Sequence, residues 1–321
     1  MVHAIRIHET GGPEVMRWEE IELSPPGAGE VRIRHTAIGL NYIDTYHRSG
    51  VYALPLPAIF GSEAAGVVEQ VGPGVSGLKA GDRVAYAMVV GAYAEARNIP
   101  ADRLVKVPDG VSDQEAAALM LKGLTAHYLL RRSYRAQKGD TVLFHAAAGG
   151  VGLILCQWAK HLGVAVIGTV SNEEKAKLAL AHGCAHAIGY EDFPARVAEI
   201  TGGAKVPAVY DGVGKDTFAG SLDCLAPTGF MILFGAASGP VPPVDPTTLA
   251  GKGSLYLQRP SLGTYVARRA DLEAAAADLF EVASSGAVKV AVNQTYPLRE
   301  AAQAHRDLEG RKTTGSTVFL V

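Results

Sequence analysis

Along the first hundred residues, hydrophobic positions alternate with polar ones at a period of two. Val31, Ile33 and His35 are interleaved with Arg32, Arg34 and Thr36, the pattern of a strand with one buried face. Shorter runs of the same kind lie at 4–7, 17–21, 66–71, 83–87, 93–99 and 104–107, separated by turn signals such as Gly11-Gly12-Pro13, Pro25-Pro26 and Gly81-Asp82. One short helix is predicted from Tyr42 to Ser49, stopped by Gly50. These elements predict a compact β-rich domain.

Beyond Pro108-Asp109-Gly110 the period changes. Ser112 and Glu115 carry the capping-box spacing and open a helical stretch that reaches Leu130. Apolar runs at 141–145, 164–170, 185–188, 208–211 and 231–234 then alternate with helical patterns. Near-continuous apolar runs suit strands buried on both faces, hence a parallel sheet with helices on either side. A proline-rich loop at 240–246 leads to a strand-like 254–258 and an alanine-rich helix at 266–284. The segments 290–295, 299–309 and 316–321 resume short-strand character, which predicts a return to the first domain with the doubly wound domain as an insertion.

Chemistry concentrates between Gly139 and Lys175. An apolar strand, the loop Ala146-Ala147-Ala148-Gly149-Gly150-Val151-Gly152 and a helix to Leu162 gather unpaired N–H groups and the positive end of a helix dipole at one point, where a diphosphate can sit. In the pattern G-x-G-x-x-G, Ala147 takes the first place while Gly149 and Gly152 hold the other two. The alternative is an ordinary strand-to-helix turn with small residues for close packing. At the end of the next strand an NAD site places an acid that binds the ribose hydroxyls, but the residues there are Thr169, Val170 and Ser171. A 2′-phosphate would meet no repulsion, and Ser171 and Lys175 could bond and neutralise it. The strand end therefore predicts NADPH rather than NADH. Ser171 could equally be a helix N-cap with Glu174 closing a capping box, Lys175 being a solvated helix face; both readings can hold together.

A length of 321 residues predicts two domains, and 48% hydrophobic with 19% charged residues fits a globular protein with a large core. A net charge of −2 gives no electrostatic footprint for nucleic acid or an anionic membrane. The N-terminus lacks a signal-peptide core and no apolar run has the length of a membrane span, which predicts a cytoplasmic protein. Cys156, Cys184 and Cys224 are spread out without metal-ligand spacing and are expected to be small core residues. None of the ten histidines forms a metal spacing or a dyad, and His145 is expected to be a packed strand end.

Several motifs, in order, carry a family likeness over essentially the whole chain. They are Gly39-Leu40-Asn41-Tyr42-Ile43-Asp44 with Arg48, Gly50 and Tyr52; Phe60 to Val68; Gly81-Asp82-Arg83-Val84; Lys122-Gly123-Leu124-Thr125-Ala126; the loop Ala146 to Gly152; and Arg259-Pro260-Ser261-Leu262. The sequence resembles the zinc-free quinone oxidoreductases, the zeta-crystallin-like branch of the medium-chain dehydrogenase/reductase superfamily. The resemblance implies an α/β protein with a GroES-like β-rich catalytic domain, 1–120 and 265–321, and a doubly wound Rossmann-type NADPH-binding domain, 121–264. It also implies a homodimer paired through the cofactor domains.

Zinc-dependent relatives carry a cysteine where Asn41 stands and a histidine where Ser62 stands, and many have a four-cysteine loop that is absent near Tyr93. No zinc is expected. Without a Lewis acid, alcohol oxidation loses its main source of catalysis, and a quinone or other conjugated carbonyl becomes the natural hydride acceptor. Asn41, Tyr46 and Tyr52 are the candidate hydrogen-bond donors to that acceptor, tyrosine being neutral at physiological pH, well below its ordinary pKa of about 10; the tyrosines could instead cap hydrophobic packing. The resemblance also puts Asn41 near the nicotinamide ribose, Gly150 and Val151 at the diphosphate, and Ser171, Asn172 and Lys175 at the strand end that meets the 2′-phosphate. Tyr190 is implied near the adenine or its phosphate, with Tyr128, Lys215, Phe234 and Leu262 around the rest. Arg311 matches a second phosphate anchor, with Lys312 beside it as an alternative. Asp44 and Arg48, at i and i+4, are expected to form an intrahelical ion pair, and Glu63 to be a buried structural carboxylate. The rivals to a quinone reductase are an enoyl or 2-alkenal reductase on the same scaffold and a non-catalytic NADPH-binding protein.

Overall fold

The computed structural model describes residues 1–321, and the chain divides into two compact units. One comprises Met1–Leu124, Val266–Ser284 and Val290–Val321; the other comprises Thr125–Tyr265 and Ser285–Lys289.

The first unit is built on the strand Glu30–Leu40, whose alternation sends Val31, Ile33, His35 and later Ile38 inward. At eleven residues it is long enough to serve three antiparallel partners. Glu63–Val71 runs along most of it, Ala96–Pro100 lies beside its first half and Ser316–Leu320 beside its end. The pairing with Glu63–Val71 shifts register twice, which bends and twists the sheet around its core. Arg83–Ala87, Val105–Lys106 and Val292–Pro297 complete seven strands, and Val2–Ile7 forms a separate sheet with Arg17–Ile21 and Ala58–Ile59. Phe60, Tyr86, Tyr93 and Phe319 are fully buried in the core between them.

The second unit is a six-stranded sheet, parallel throughout. In chain order its strands are Thr141–Phe144, Ala165–Thr169, His186–Ile188, Val206–Asp211, Leu225–Leu233 and Tyr256–Gln258. In space they run third, second, first, fourth, fifth, sixth. That is the doubly wound dinucleotide-binding order, with its switch point between the first and fourth strands. Leu143, Ile167, Val209 and Met231 are buried between sheet and helices.

Two elements differ from the sequence pattern. The fifth strand begins six residues before the expected 231, at Leu225, because Pro227 and Gly229 resemble breakers while Thr228 takes the left-handed turn (φ 61°) inside it. The alanine-rich helix expected at 266–284 begins three residues later, as Arg269–Ser284, and a separate short helix, Leu262–Tyr265, precedes it.

Candidate active site

In the first unit the strand Glu30–Leu40 feeds directly into the helix Tyr42–Ser49. Asn41 is its N-cap, and the Asn41 N–H donates to Asp44 Oδ2 (3.0 Å) while the Asn41 side chain faces the Asp44 N–H, a reciprocal capping box. Gly50 ends the helix at φ 83°, a conformation glycine adopts without strain. Asp44 is fully buried and accepts two further bonds, from Ser62 Oγ (2.7 Å) and Tyr93 Oη (3.1 Å). The expected Asp44–Arg48 pair does not form, because a carboxylate in the first turn reaches back to the cap instead of forward along the helix. Arg48 runs to both carboxylate oxygens of Glu309 (2.8 and 3.0 Å) and to His305 Nδ1 (3.0 Å). Arginine can only donate, so His305 Nδ1 accepts, Nε2 carries the hydrogen and donates it to Tyr93 Oη (3.0 Å), and the Tyr93 hydrogen goes to Asp44. Burial pushes the Asp44 carboxyl up to about 7 and the His305 imidazole down to about 3.

Glu63 is fully buried beside this cap, as expected. Its Oε1 accepts Asn41 Nδ2 (2.8 Å) and Lys122 Nζ (2.6 Å), and its Oε2 accepts the Leu121 N–H (2.6 Å). Gly39 makes room for that carboxylate: a Cβ there would lie 2.3 Å from Glu63 Oε1. Asn41 Nδ2 also donates to Gly39 O (3.3 Å), so both of its amide hydrogens are committed within the protein. Asn41 therefore fixes the helix start and has no hydrogen left for a substrate oxygen. The group does not fit the zinc held at these positions in metal-dependent relatives. Asn41 and Ser62 present donors, Asp44 accepts from Ser62, and the Glu63 carboxylate is already bonded to an ammonium and two N–H groups.

Tyr46 and Tyr52 come together on the outer side of the helix. Their rings meet edge to face at 5.4 Å, the Tyr52 N–H donates to Tyr46 O (3.1 Å), and Tyr42 packs on Tyr46 at 5.7 Å. Tyr52 is 38% exposed, whereas Asn41 is buried. Arg311 lies on the turn after the helix Ala301–Glu309, at φ 58°. Burial and Glu309 push the Tyr42 hydroxyl up, and Arg311 opposes them. Lys312, the alternative cation, is engaged by Asp307 at 3.3 Å.

In the second unit, the sequence-predicted cofactor residues follow the carboxyl ends of successive strands. Gly150 and Val151 begin the helix Gly150–His161 after the first strand, and Ser171, Asn172 and Lys175 follow the second. Tyr190 follows the third, Lys215 the fourth, Phe234 the fifth and Leu262 the sixth. Ligands of doubly wound sheets bind along this edge. Gly152 provides the cradle a dinucleotide loop needs, since a Cβ there would sit 2.5 Å from Ala147 O. The N-terminal N–H groups of that helix have no partner within it. The cap of the helix Glu173–Ala181 is Asn172, whose side chain accepts the Lys175 N–H (2.9 Å), and not Ser171. Asn172 sits three residues before the N–H it accepts, which is the N-cap spacing; Ser171 is one too far. Lys215 N donates to Gly239 O (3.2 Å), and Phe234 packs against Phe144 at 5.7 Å. Tyr128 is buried and stacked on Tyr265 at 4.6 Å.

Sequence reasoning missed the contacts of His145. Its Nδ1 meets Thr169 Oγ1 (2.9 Å), its Nε2 meets Ser221 Oγ (2.9 Å), and its ring stacks near Tyr190 at 6.1 Å. It also missed that the Cys184 thiol faces two backbone oxygens, Val166 O (3.4 Å) and His186 O (3.2 Å). Except for His186, the partners in these contacts lie far apart in sequence, so no local spacing reveals them.

A switch-point sheet with a glycine-turned helix start, joined in one chain to an antiparallel β-rich unit, defines a dinucleotide-binding oxidoreductase class. The sequence matches the zinc-binding dehydrogenase family over residues 150–281 and the alcohol dehydrogenase GroES-like domain over residues 27–109. It is 52% identical to a quinone oxidoreductase of Pseudomonas aeruginosa, covering 100% of both chains, and 48% identical to a 2-haloacrylate reductase of a Burkholderia species, covering 100% of this chain and 99% of the relative. The crystal structure of Escherichia coli quinone oxidoreductase complexed with NADPH superposes with a TM-score of 0.98 at 49% identity, covering 99% of this chain and 100% of that one. The chain belongs to the medium-chain dehydrogenase/reductase family, within its quinone oxidoreductase branch.

Proposed function

We propose that this protein reduces quinones with NADPH and without a metal. The observation that carries the reading is that the Glu63 carboxylate is already bonded to Lys122, Asn41 and the Leu121 N–H, beside Asn41 and Ser62 acting as donors. With no ligand set for a Lewis acid, the acceptor has to be one that takes hydride readily, and a quinone does so because the charge develops on a conjugated oxygen. When bound, NADPH supplies the hydride. Tyr46 and Tyr52 orient the acceptor and donate hydrogen bonds to that oxygen, while Asn41 and Asp44 hold the helix that carries Tyr46. Gly150 and Val151 present N–H groups to the diphosphate, and Lys175 with Ser171 receives the 2′-phosphate at a strand end that bears no acid.

A second acceptor class is favoured by the 2-haloacrylate reductase among the relatives: an activated alkene conjugated to a carbonyl or carboxylate. Steady-state NADPH oxidation with benzoquinone, naphthoquinone, a 2-alkenal and 2-chloroacrylate decides between them. Quinone turnover at least about tenfold above the alkenes is the expected result, and turnover of none would leave only a binding protein. Lys175→Ala should reduce the preference for NADPH over NADH by about tenfold, equivalent to about 1.4 kcal/mol of phosphate binding; an unchanged preference removes Lys175 from the site.

The sixth strand, Tyr256–Gln258, is an edge of the parallel sheet, with Tyr256 56% and Leu257 37% exposed. An apolar open edge is a pairing surface, and we assign it to a homodimer; Leu257→Lys should shift the protein to monomer in light scattering. No helix is long and apolar enough to cross a membrane. The three free, buried thiols suit the reducing cytoplasm.

A further inference from the structure

The buried His145 contacts can be resolved proton by proton. Asp211 is fully buried at the end of the fourth strand and accepts from the Val213 N–H (2.8 Å), the Gly214 N–H (2.9 Å), Thr217 Oγ1 (2.7 Å) and Ser221 Oγ (3.1 Å). Ser221 has one hydrogen, and it goes to Asp211. Its oxygen therefore accepts from His145, which places the imidazole hydrogen on Nε2. Nδ1 is left with a lone pair and accepts the hydroxyl hydrogen of Thr169. The Thr169 oxygen in turn accepts the Ala146 N–H at 3.2 Å, and the Thr169 carbonyl accepts the Ala147 N–H at 3.0 Å. The chain thus runs in one direction, from the first residue of the glycine loop to Asp211, and ties together the ends of the first, second and fourth strands.

Its outer terminus is the strained point of that loop. Ala146 is not glycine, yet it stands at φ 61°, a conformation an alanine holds only when its surroundings impose it. Ala146 O also accepts the Gly149 N–H at 3.0 Å, so the orientation of this one peptide is passed to the residue before Gly150.

We propose that His145, acting through Thr169, is a positioning residue for the dinucleotide: it holds Ala146 in its left-handed conformation and so aims the N–H groups at Gly150 and Val151 toward the diphosphate. This rests on the NADPH reading above. Because the diphosphate is common to both nicotinamide cofactors, losing the chain should weaken NADPH and NADH equally, which damage at Lys175 would not do.

Thr169→Val keeps the shape of the side chain and removes only the hydroxyl. Titration of the variant with NADPH and with NADH, followed by protein fluorescence, should show both dissociation constants raised about tenfold with their ratio unchanged. Thr169→Ser should restore parental affinity. Turnover at saturating NADPH should stay within about twofold of the parent, since the hydrogen-bonded chain ends at the Ala146 N–H of the glycine loop. His145→Phe should match Thr169→Val, and the double variant should be no worse than either, because one chain is broken only once. Unchanged dissociation constants in Thr169→Val, a loss confined to NADPH, or additive losses in the double variant would overturn the assignment. A parent protein that binds neither cofactor would overturn the function reading and this proposal with it, and that outcome is read before any variant is made.

Discussion

Asp44→Asn tests the energetics of the cap that holds the helix Tyr42–Ser49. The native carboxyl receives three hydrogen bonds, yet burial outweighs them and lifts its pKa from 3.8 to about 7. Between those values the folded protein keeps a proton that the unfolded chain has released. The stability this group supplies is therefore whole below pH 3.8 and is lost as the pH rises through about 7. Over an interval of about three pH units, at about 1.4 kcal/mol each, the loss is on the order of 4 kcal/mol. An amide stays neutral at every pH. Its oxygen can keep the Asn41 N–H and the Tyr93 hydroxyl while its NH2 donates to Ser62 Oγ. The unfolding free energy of the variant, relative to the parent, should thus rise by about 4 kcal/mol between about pH 4 and pH 8, with most of the change below pH 7. Urea denaturation of both proteins in the cofactor-free state, followed by tryptophan fluorescence with m values compared, measures it. Buried histidines titrate in the same range in both proteins, so the difference between the two curves is the informative quantity. A difference that is flat with pH, or that moves against the variant as pH rises, would refute burial as the dominant influence on Asp44.

Other expectations follow from the same sites. Lys122→Met strands the fully buried Glu63 carboxylate without its cation and should cost about 3–5 kcal/mol in urea denaturation, most of it recovered in Glu63→Gln/Lys122→Met. Gly152→Ala would put a Cβ 2.5 Å from a backbone oxygen, so NADPH affinity measured by fluorescence titration should fall about tenfold or more, whereas Gly149→Ala, whose Cβ would meet Ala146 O at 3.2 Å, should be milder. Burial lowers His35 and His145 to about 4 and His305 to about 3, all from 6.5. Their unfolded forms take up protons that the folded protein refuses, so their contribution to stability is present above pH 6.5 and is lost as pH falls toward about 4; a melting temperature that does not decline across that range would contradict these burials.

Local signals were legible where the partner lies close in sequence. The helix Tyr42–Ser49 with its Gly50 stop, and the Ser112–Glu115 capping box (Ser112 N to Glu115 Oε2, 2.9 Å; Glu115 N to Ser112 Oγ, 3.2 Å), are properties of consecutive residues and stand as expected. The parallel sheet was legible from apolar runs, because both faces of each strand are covered. What could not be read was which of two locally valid partners a side chain takes. Asp44 could have met Arg48 one turn on, but the cap, Ser62 and Tyr93 compete for the same two oxygens. Ser171 and Asn172 are both good caps, and one residue of register decides between them. Asn41 has the chemistry of a substrate donor, and only the approach of Glu63 and Gly39 shows that its hydrogens are already taken.

The two positions where metal-dependent relatives carry ligands have not simply lost them; here each supplies a donor to a buried carboxylate. Asn41 bonds Glu63, and Ser62 bonds Asp44. Two neighbouring carboxyls in one dry pocket cannot both be charged cheaply, and the site holds a single compensating cation, Lys122, which contacts Glu63 at 2.6 Å. Asp44, whose donors are all neutral, is pushed toward neutrality chiefly by its burial, with the neighbouring Glu63 adding a smaller push in the same direction. Arg48, one turn along the helix from Asp44, is already claimed by Glu309 and His305. Placing a metal at this point would add a second cation beside Lys122 and compete with Lys122, Asn41 and the Leu121 N–H for the Glu63 carboxylate. Asn41, Asp44, Ser62, Glu63 and Lys122 thus form one buried, hydrogen-bonded mount for the start of the helix Tyr42–Ser49.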